Sequence, residues 1–198
     1  LHLCDRRQRQ MCIRDRSHLI QFAKMGSVYM ENIMGIKNPR VAIVNIGAEE
    51  EKGNSLVKET YPLLNELEDI NFVGNIEARD IPEGKADVIV CDAFVGNVIL
   101  KMYEGVGSVM LKKLTGTLKS SLKNKIGALL IKKDLKKTMK NFMIEEYGGA
   151  PLLGLNGLLV KTHGNSKSVE IKNSILQCAA FKEMDLNNKF KEKLELNN

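Results

Sequence analysis

Four short stretches set glycine and polar residues where apolar runs stop: NIG at 45–47, VGN at 73–75, CDAFVGN at 91–97 and THGNS at 162–166. Between them they supply Asn45, Gly47, Gly74, Asn75, Asp92, Gly96, Asn97, His163 and Gly164. Glycine lets a backbone amide come close to a ligand, and the amides that open a helix after a strand favour negative charge. Such a set suits an anionic, phosphate-like ligand. Arg79 in NIEARD could add a bidentate contact, and Lys101, one turn beyond Asn97, a point charge. Each residue also has a plain structural use. Gly-Asn pairs make turns and caps, Asp92 can cap the next helix, and His163 can bond a turn; Arg79 can pair with Glu77 or Asp80, and Lys101 can stay on the surface.

Familiar catalytic patterns are missing. EGVGSVM sits in a helical pattern rather than after a strand, so no GxGxxG fingerprint remains, and GxxxxGK[ST], HExxH and GxSxG do not occur. The four cysteines, at 4, 12, 91 and 178, form neither a CxxC pair nor a Cys/His set at zinc spacing, which predicts reduced thiols. Cys91 precedes its loop on an apolar run with no histidine near it in sequence. The pattern favours binding an anion over a covalent enzyme adduct.

The elements that must position these residues follow from periodicity. HLIQFAKMGSVYMENIM, 18–34, has helical spacing ended by Gly35; RVAIVNIG reads as a buried strand; NSLVKETYPLLNEL reads as a helix despite Pro62. INFVGN and DVIVCD are two more strands, a long amphipathic helix opens at Asn97, and GLLVKTHG is a further strand. A last helix is expected from Lys167 to Lys189, with 188–198 as a frayed tail. Strands that are apolar on both sides and alternate with helices predict an α/β fold, a three-layer α/β/α sandwich on a mostly parallel sheet. The chain has 198 residues, 43% of them hydrophobic, and no segment of membrane-spanning length or secretory pattern, so a soluble, cytoplasmic protein is expected.

Charge is uneven. Residues 1–16 carry five arginines, whereas beyond them the chain uses 23 lysines and only Arg40 and Arg79. RRQRQMCIRDR resembles a translated sequencing adapter, so 1–16 is read as an artefact outside the fold, the alternative being a basic arm that binds nucleic acid, and 17–187 as the domain. Of the net charge of +6, residues 112–140 hold ten lysines against Asp134 alone. There Leu111, Leu114, Leu118, Leu122 and Ile126 recur at spacings of three or four, and Gly127 breaks the run. The reading is a protruding basic helical hairpin, about 108–142, with an apolar tip of Leu129, Leu130 and Ile131 flanked by Lys123, Lys125, Lys132 and Lys133. It can rest on an anionic membrane, at about 1 kcal/mol per lysine, or receive an acidic protein. The alternative is a dimer interface with a solvated lysine face. Nucleic acid is disfavoured because aromatics are not interleaved.

NPRVAIVNIGAEEEKGN, INFVGNIEARDI, ADVIVCDAFVGNVILK and EYGGAPLLGLNGLLVKTHG together resemble the bacterial phosphate acyltransferase (PlsX) family, from about His18 to Met184. The resemblance covers about the carboxyl-terminal half of the family's usual length. It implies transfer of a fatty acyl group from acyl carrier protein to inorganic phosphate, in an isocitrate dehydrogenase or phosphate acetyltransferase-like fold. It further implies a homodimer, no metal or nicotinamide, and a downstream glycerol-3-phosphate acyltransferase that takes the acyl phosphate. On this basis Asp92, Asn97 and His163 are expected at the catalytic centre, with Asn45, Gly47, Gly74, Asn75, Arg79, Gly96, Lys101 and Gly164 on phosphate. The basic hairpin resembles the family's membrane-contacting one, implying peripheral association with the inner face of the cell membrane. Ala93 departs from the family's usual glycine, and Lys167 stands where a small or acidic residue is more usual. A short-chain phosphate acetyl- or butyryltransferase using coenzyme A, and a non-catalytic membrane- or partner-binding fragment, are the competing readings.

Overall fold

The computed structural model describes residues 15–140, 149–162, 164 and 166–195. Three parallel strands, β1 (Arg40–Asn45), β2 (Asn71–Glu77) and β3 (Val88–Val90), form one sheet in the order β2-β1-β3. The central strand β1 alternates its side chains between two apolar clusters, which explains why its sequence is apolar without a break. Val41 and Ile43 pack with Leu19, Ala23, Leu64, Ile70, Val88 and Val90, beneath helices α1 (Arg16–Asn32) and α2 (Ser55–Asn65). Ala42 and Val44 face the other way, with Ile76, and are covered by Ile81 of the 3-10 helix Ala78–Glu83 and by Val95 and Ile99 of α3 (Ala93–Lys119). The α/β reading with a parallel sheet covered on two faces therefore holds for these elements.

The remaining elements are α4 (Leu122–Lys140), α5 (Ser168–Glu183), α6 (Leu186–Glu195) and an antiparallel pair, β4 (Ala150–Pro151) with β5 (Val160–Lys161). Here the expectations need correction. GLLVKTHG does not join the parallel sheet; among its described residues only Val160 and Lys161 form a strand, and they pair with Ala150 and Pro151. VGN does not end β2, because Val41 pairs with Phe72 but Ile43 with Asn75, which leaves one extra residue on β2. Gly74 absorbs that residue at φ +93, a left-handed conformation that glycine adopts without a Cβ penalty, and the bulged strand runs on to Glu77.

The long helix opens at Ala93 rather than Asn97, and its break falls at Ser120 and Ser121 rather than Gly127, which lies inside α4. Ser121 supplies a cap: its hydroxyl accepts from the Asn124 amide at 3.1 Å, and Asn124 donates to Thr117 O at 3.0 Å. A glycine in an exposed helix costs only about 1 kcal/mol relative to alanine, too little to stop it. Leu129, Leu130 and Ile131 consequently lie along an exposed helix and form no tip.

The carboxyl-terminal helix expected as one piece is two, divided where Asp185 takes φ +50. Residues 186–195 are not a frayed tail. Leu186 and Phe190 are buried and pack with Phe181 against Met25 and Val28 of α1, and Tyr29 meets Phe181 ring to ring at 5.7 Å. Lys193 reaches Asp69 at 3.5 Å, and Lys24, only 3% exposed, reaches the same carboxylate oxygen at 3.4 Å. Helix α1 is thus held on one side by the sheet and on another by the last helix. Among the described residues no helix is long and apolar enough to cross a membrane.

Candidate functional site

Parallel pairing brings the carboxyl ends of all three strands to one rim. Asn45 is level with Glu77 and Ile43 with Val90, and Asp92 follows two residues after Val90. At that rim β3 passes into α3 through two residues, Cys91 and Asp92. Asp92 is the N-cap: its Oδ1 accepts from the Val95 amide at 2.8 Å, and its carbonyl accepts from Gly96 at 3.0 Å. The carboxylate thereby satisfies one of the orphan amides that open the helix. Gly96 lies in the first turns of α3, where a Cβ would come within 3.1 Å of Cys91 Sγ. Ala93 is the first helical residue and needs no positive φ. Burial, with a smaller push from the Asp92 charge, raises the Cys91 thiol to about 11, so it stays protonated and unreactive near neutral pH.

The second part of the rim is the loop after β1. Asn45, buried, donates from Nδ2 to Lys52 O at 2.9 Å and accepts from the Ile46 amide at 2.8 Å. Asn75 reaches across from β2, donating to Glu49 O at 3.0 Å and Ala48 O at 3.4 Å. Gly47 is buried, and a Cβ there would meet Lys52 Cδ at 2.6 Å. Above the loop, Glu49 pairs with Lys52 at 2.9 Å, and that hydrogen bond holds its carboxyl below the ordinary value. Tyr61 of α2 donates to Glu50 at 3.1 Å; burial first, and then this bond, pushes its phenol up. Asn54 caps α2 by accepting from Val57 at 2.9 Å.

The other expected residues spread out. Arg79 stands in the 3-10 helix after β2, exposed, with its guanidinium on Glu77 at 3.0 Å, the salt bridge weighed as its structural use. Asn97 is exposed on α3, and Lys101, 65% exposed, pairs with Glu104 at 2.7 Å one turn along the same helix. Gly164 follows β5, outside the parallel sheet, and His163 lies outside the described residues. So the structure gathers Asn45, Gly47, Gly74, Asn75, Asp92 and Gly96 at three parallel strands, while of the fourth stretch Gly164 lies outside that sheet. Lys123, Lys125, Lys132 and Lys133 are exposed on α4.

Sequence reading missed Tyr61, Glu49, Glu50, Lys52 and Gly53. KGN at 52–54 was the available signal, a glycine before a helix-capping asparagine. Among the described residues no group of His, Cys, Asp and Glu could hold a metal ion.

The family profile described as "Fatty acid synthesis protein" matches residues 12–189. A protein of Clostridium novyi (strain NT) named "Phosphate acyltransferase" is 51% identical over 179 residues, 90% of this chain and 54% of that protein. One of the same name from Clostridium botulinum (strain Alaska E43 / Type E3) is 50% identical over 182 residues, 91% of this chain and 55% of that protein. Another from Brevibacillus brevis is 46% identical over 179 residues, 90% and 53%. The chain spans about half the length of the curated relatives it matches. Its strand-end motifs, its parallel sheet and these matches lead to one assignment: the chain belongs to the fatty acid synthesis protein family, the phosphate acyltransferase (PlsX) family that its sequence blocks resemble.

Proposed function

We propose that this chain is the carboxyl-terminal part of an enzyme that moves a fatty acyl group from acyl carrier protein to inorganic phosphate, for phospholipid synthesis. The observation that carries the reading is half-sequence identity to proteins named phosphate acyltransferase across 90% of the chain. A phosphate oxygen attacks the thioester carbonyl, the tetrahedral oxyanion collapses, and the thiolate leaves as the acyl phosphate forms. No residue need be acylated, which agrees with a Cys91 that burial keeps protonated. What the site must do is hold a dianion about 3 Å from the carbonyl carbon and stabilise the oxyanion.

In this proposal the phosphate sits at the rim against the opening amides of α3, where the helix dipole favours negative charge. Asp92, an anion itself, acts by fixing that helix end rather than by touching phosphate. Asn97 and Lys101 lie beyond this first turn, and Arg79 in the 3-10 helix after β2, and these would meet the bound substrate only at its edges; Gly164 and His163 would come from the segment after β5. The α3–α4 pair bears the lysines and exposed leucines proposed to meet an anionic membrane or the acidic carrier protein. The working unit is proposed to be a cytoplasmic homodimer, peripherally bound to the membrane and feeding a glycerol-3-phosphate acyltransferase.

The test uses the full-length protein with acylated carrier protein, phosphate and a hydroxylamine trap. Phosphate-dependent acyl hydroxamate is expected, lost in Asp92→Ala and largely retained in Asp92→Ser, which keeps a cap. No product from the unmodified protein overturns the reading. Turnover with acyl coenzyme A but not with the carrier protein would favour the short-chain alternative.

A further inference from the structure

We infer that Asn45 and Asn75 are positioning residues, which clamp the loop 46–53 from beneath, rather than ligands of the phosphate. The inference rests on the reaction proposed above, but its geometry stands alone. An asparagine amide has two N–H donors and one oxygen with two lone pairs. Asn75 Nδ2 faces two loop carbonyls, Glu49 O at 3.0 Å and Ala48 O at 3.4 Å, and because only the NH2 end can face two carbonyls, its orientation is fixed. Its Oδ1 is buried and has no partner among the described residues. What remains on Asn75 is therefore an acceptor, which repels a phosphate oxygen.

Asn45 is engaged at both ends, by Lys52 O and the Ile46 amide, so one side chain ties the first residue of the loop to its last turn. The chain leaves no slack beside it. Gly53 takes φ +102, and a Cβ there would stand 2.5 Å from Asn45 Oδ1 and 3.2 Å from Val57 Cβ. The bulge at Gly74 completes the arrangement: the extra residue sets Asn75, rather than Gly74, opposite Ile43 on β1, the strand that leads into this loop. Two adjacent strands thus each spend an asparagine on the same eight residues.

The test is amide hydrogen exchange and steady-state kinetics on full-length Asn45→Ala, Asn75→Ala, Asn75→Asp and Gly53→Ala proteins. Asn75→Asp keeps the shape but has no N–H to donate, so it should match or exceed Asn75→Ala. Losing these bonds should speed exchange of residues 46–53 by roughly tenfold while β1 and α1 keep their protection. Turnover should fall by a similar factor, roughly tenfold, with the KM for phosphate within about twofold of the parent. Gly53→Ala and Asn45→Ala disturb one contact, so their effects should combine less than additively. Unchanged exchange at 46–53 overturns the clamp, as does a raised phosphate KM with turnover intact. If Asn45→Ala does not fold, Asn75→Asp and Gly53→Ala decide the matter. If the parent makes no acyl phosphate, the reaction proposed above fails while the exchange arm still decides the clamp.

Discussion

The rim of the sheet and the α3–α4 pair are built on opposite terms. At the rim, nearly every polar side chain has a named partner within the chain, and the central strand beneath is buried on both faces. Along α3 and α4, Val98, Met102, Val109, Met110, Leu122, Leu129 and Leu130 are exposed, and the pair touches the rest mainly through the first turns of α3. Local hydrogen bonds make those helices, whereas long-range burial makes the sheet. The lesson is that the two regions should respond to different perturbations.

The widest gap should appear when the core is cut. Leu64 is fully buried between α2 and the sheet, so Leu64→Ala should cost about 2–5 kcal/mol in urea unfolding. A smaller loss would mean that the sheet region is looser than its packing implies. Next comes the junction between the regions, where Asp92→Ala removes the α3 cap and should cost about 1 kcal/mol, with Asp92→Ser recovering most of it. Equal loss in both would place the role of Asp92 outside capping.

Titration probes the same junction more gently. Burial raises the folded-state pKa of Cys91 from 9.0 to about 11, so its contribution is complete below pH 9.0 and disappears as pH climbs to about 11. The folded protein should resist iodoacetamide at Cys91 at pH 8 and should lose stability in that alkaline window, and Cys91→Ala should flatten the loss. At the amino ends of the strands, opposite the rim, Asp87 behaves in the reverse sense. Hydrogen bonds from the Arg40 side chain and amide hold its carboxyl below the ordinary range, so that contribution is present above the unfolded value and fades on acidification. The smallest effect is expected on α4. Leu130 is 79% exposed, and Leu130→Ala should change stability by no more than about 0.5 kcal/mol. The same substitution should still weaken flotation with vesicles rich in anionic lipid if the proposed membrane contact is right.

How far the sequence could be read follows the same division. β1 and β3 were legible because continuous β-branched residues have one good use, a strand covered on two sides. Asp92 was legible as a cap for its residue type, yet the start of α3 was read four residues late, since Gly96-Asn97 resembles a turn signal and the cap is decided by geometry. The bulge at Gly74 was hidden because it is defined by register against β1, not by composition. The last helix was legible in principle: Leu186, Phe190 and Leu194 recur every four residues, but the surrounding lysines and asparagines masked them. For the site, residue types could be read from their positions after apolar runs. Their partners could not, because Asn75 finds its carbonyls 26 and 27 residues back in the chain.

The docking of α6 on α1 has a consequence for synthesis. Met25 and Val28 emerge from the ribosome roughly 155 residues ahead of the Phe181, Leu186 and Phe190 that shield them, a wait of about 10–30 s at ordinary elongation rates. During that interval one flank of the nascent domain stays greasy and open to holdase chaperones or to a neighbouring polysome, so premature termination before Leu186 should yield inclusion bodies rather than a shorter soluble product.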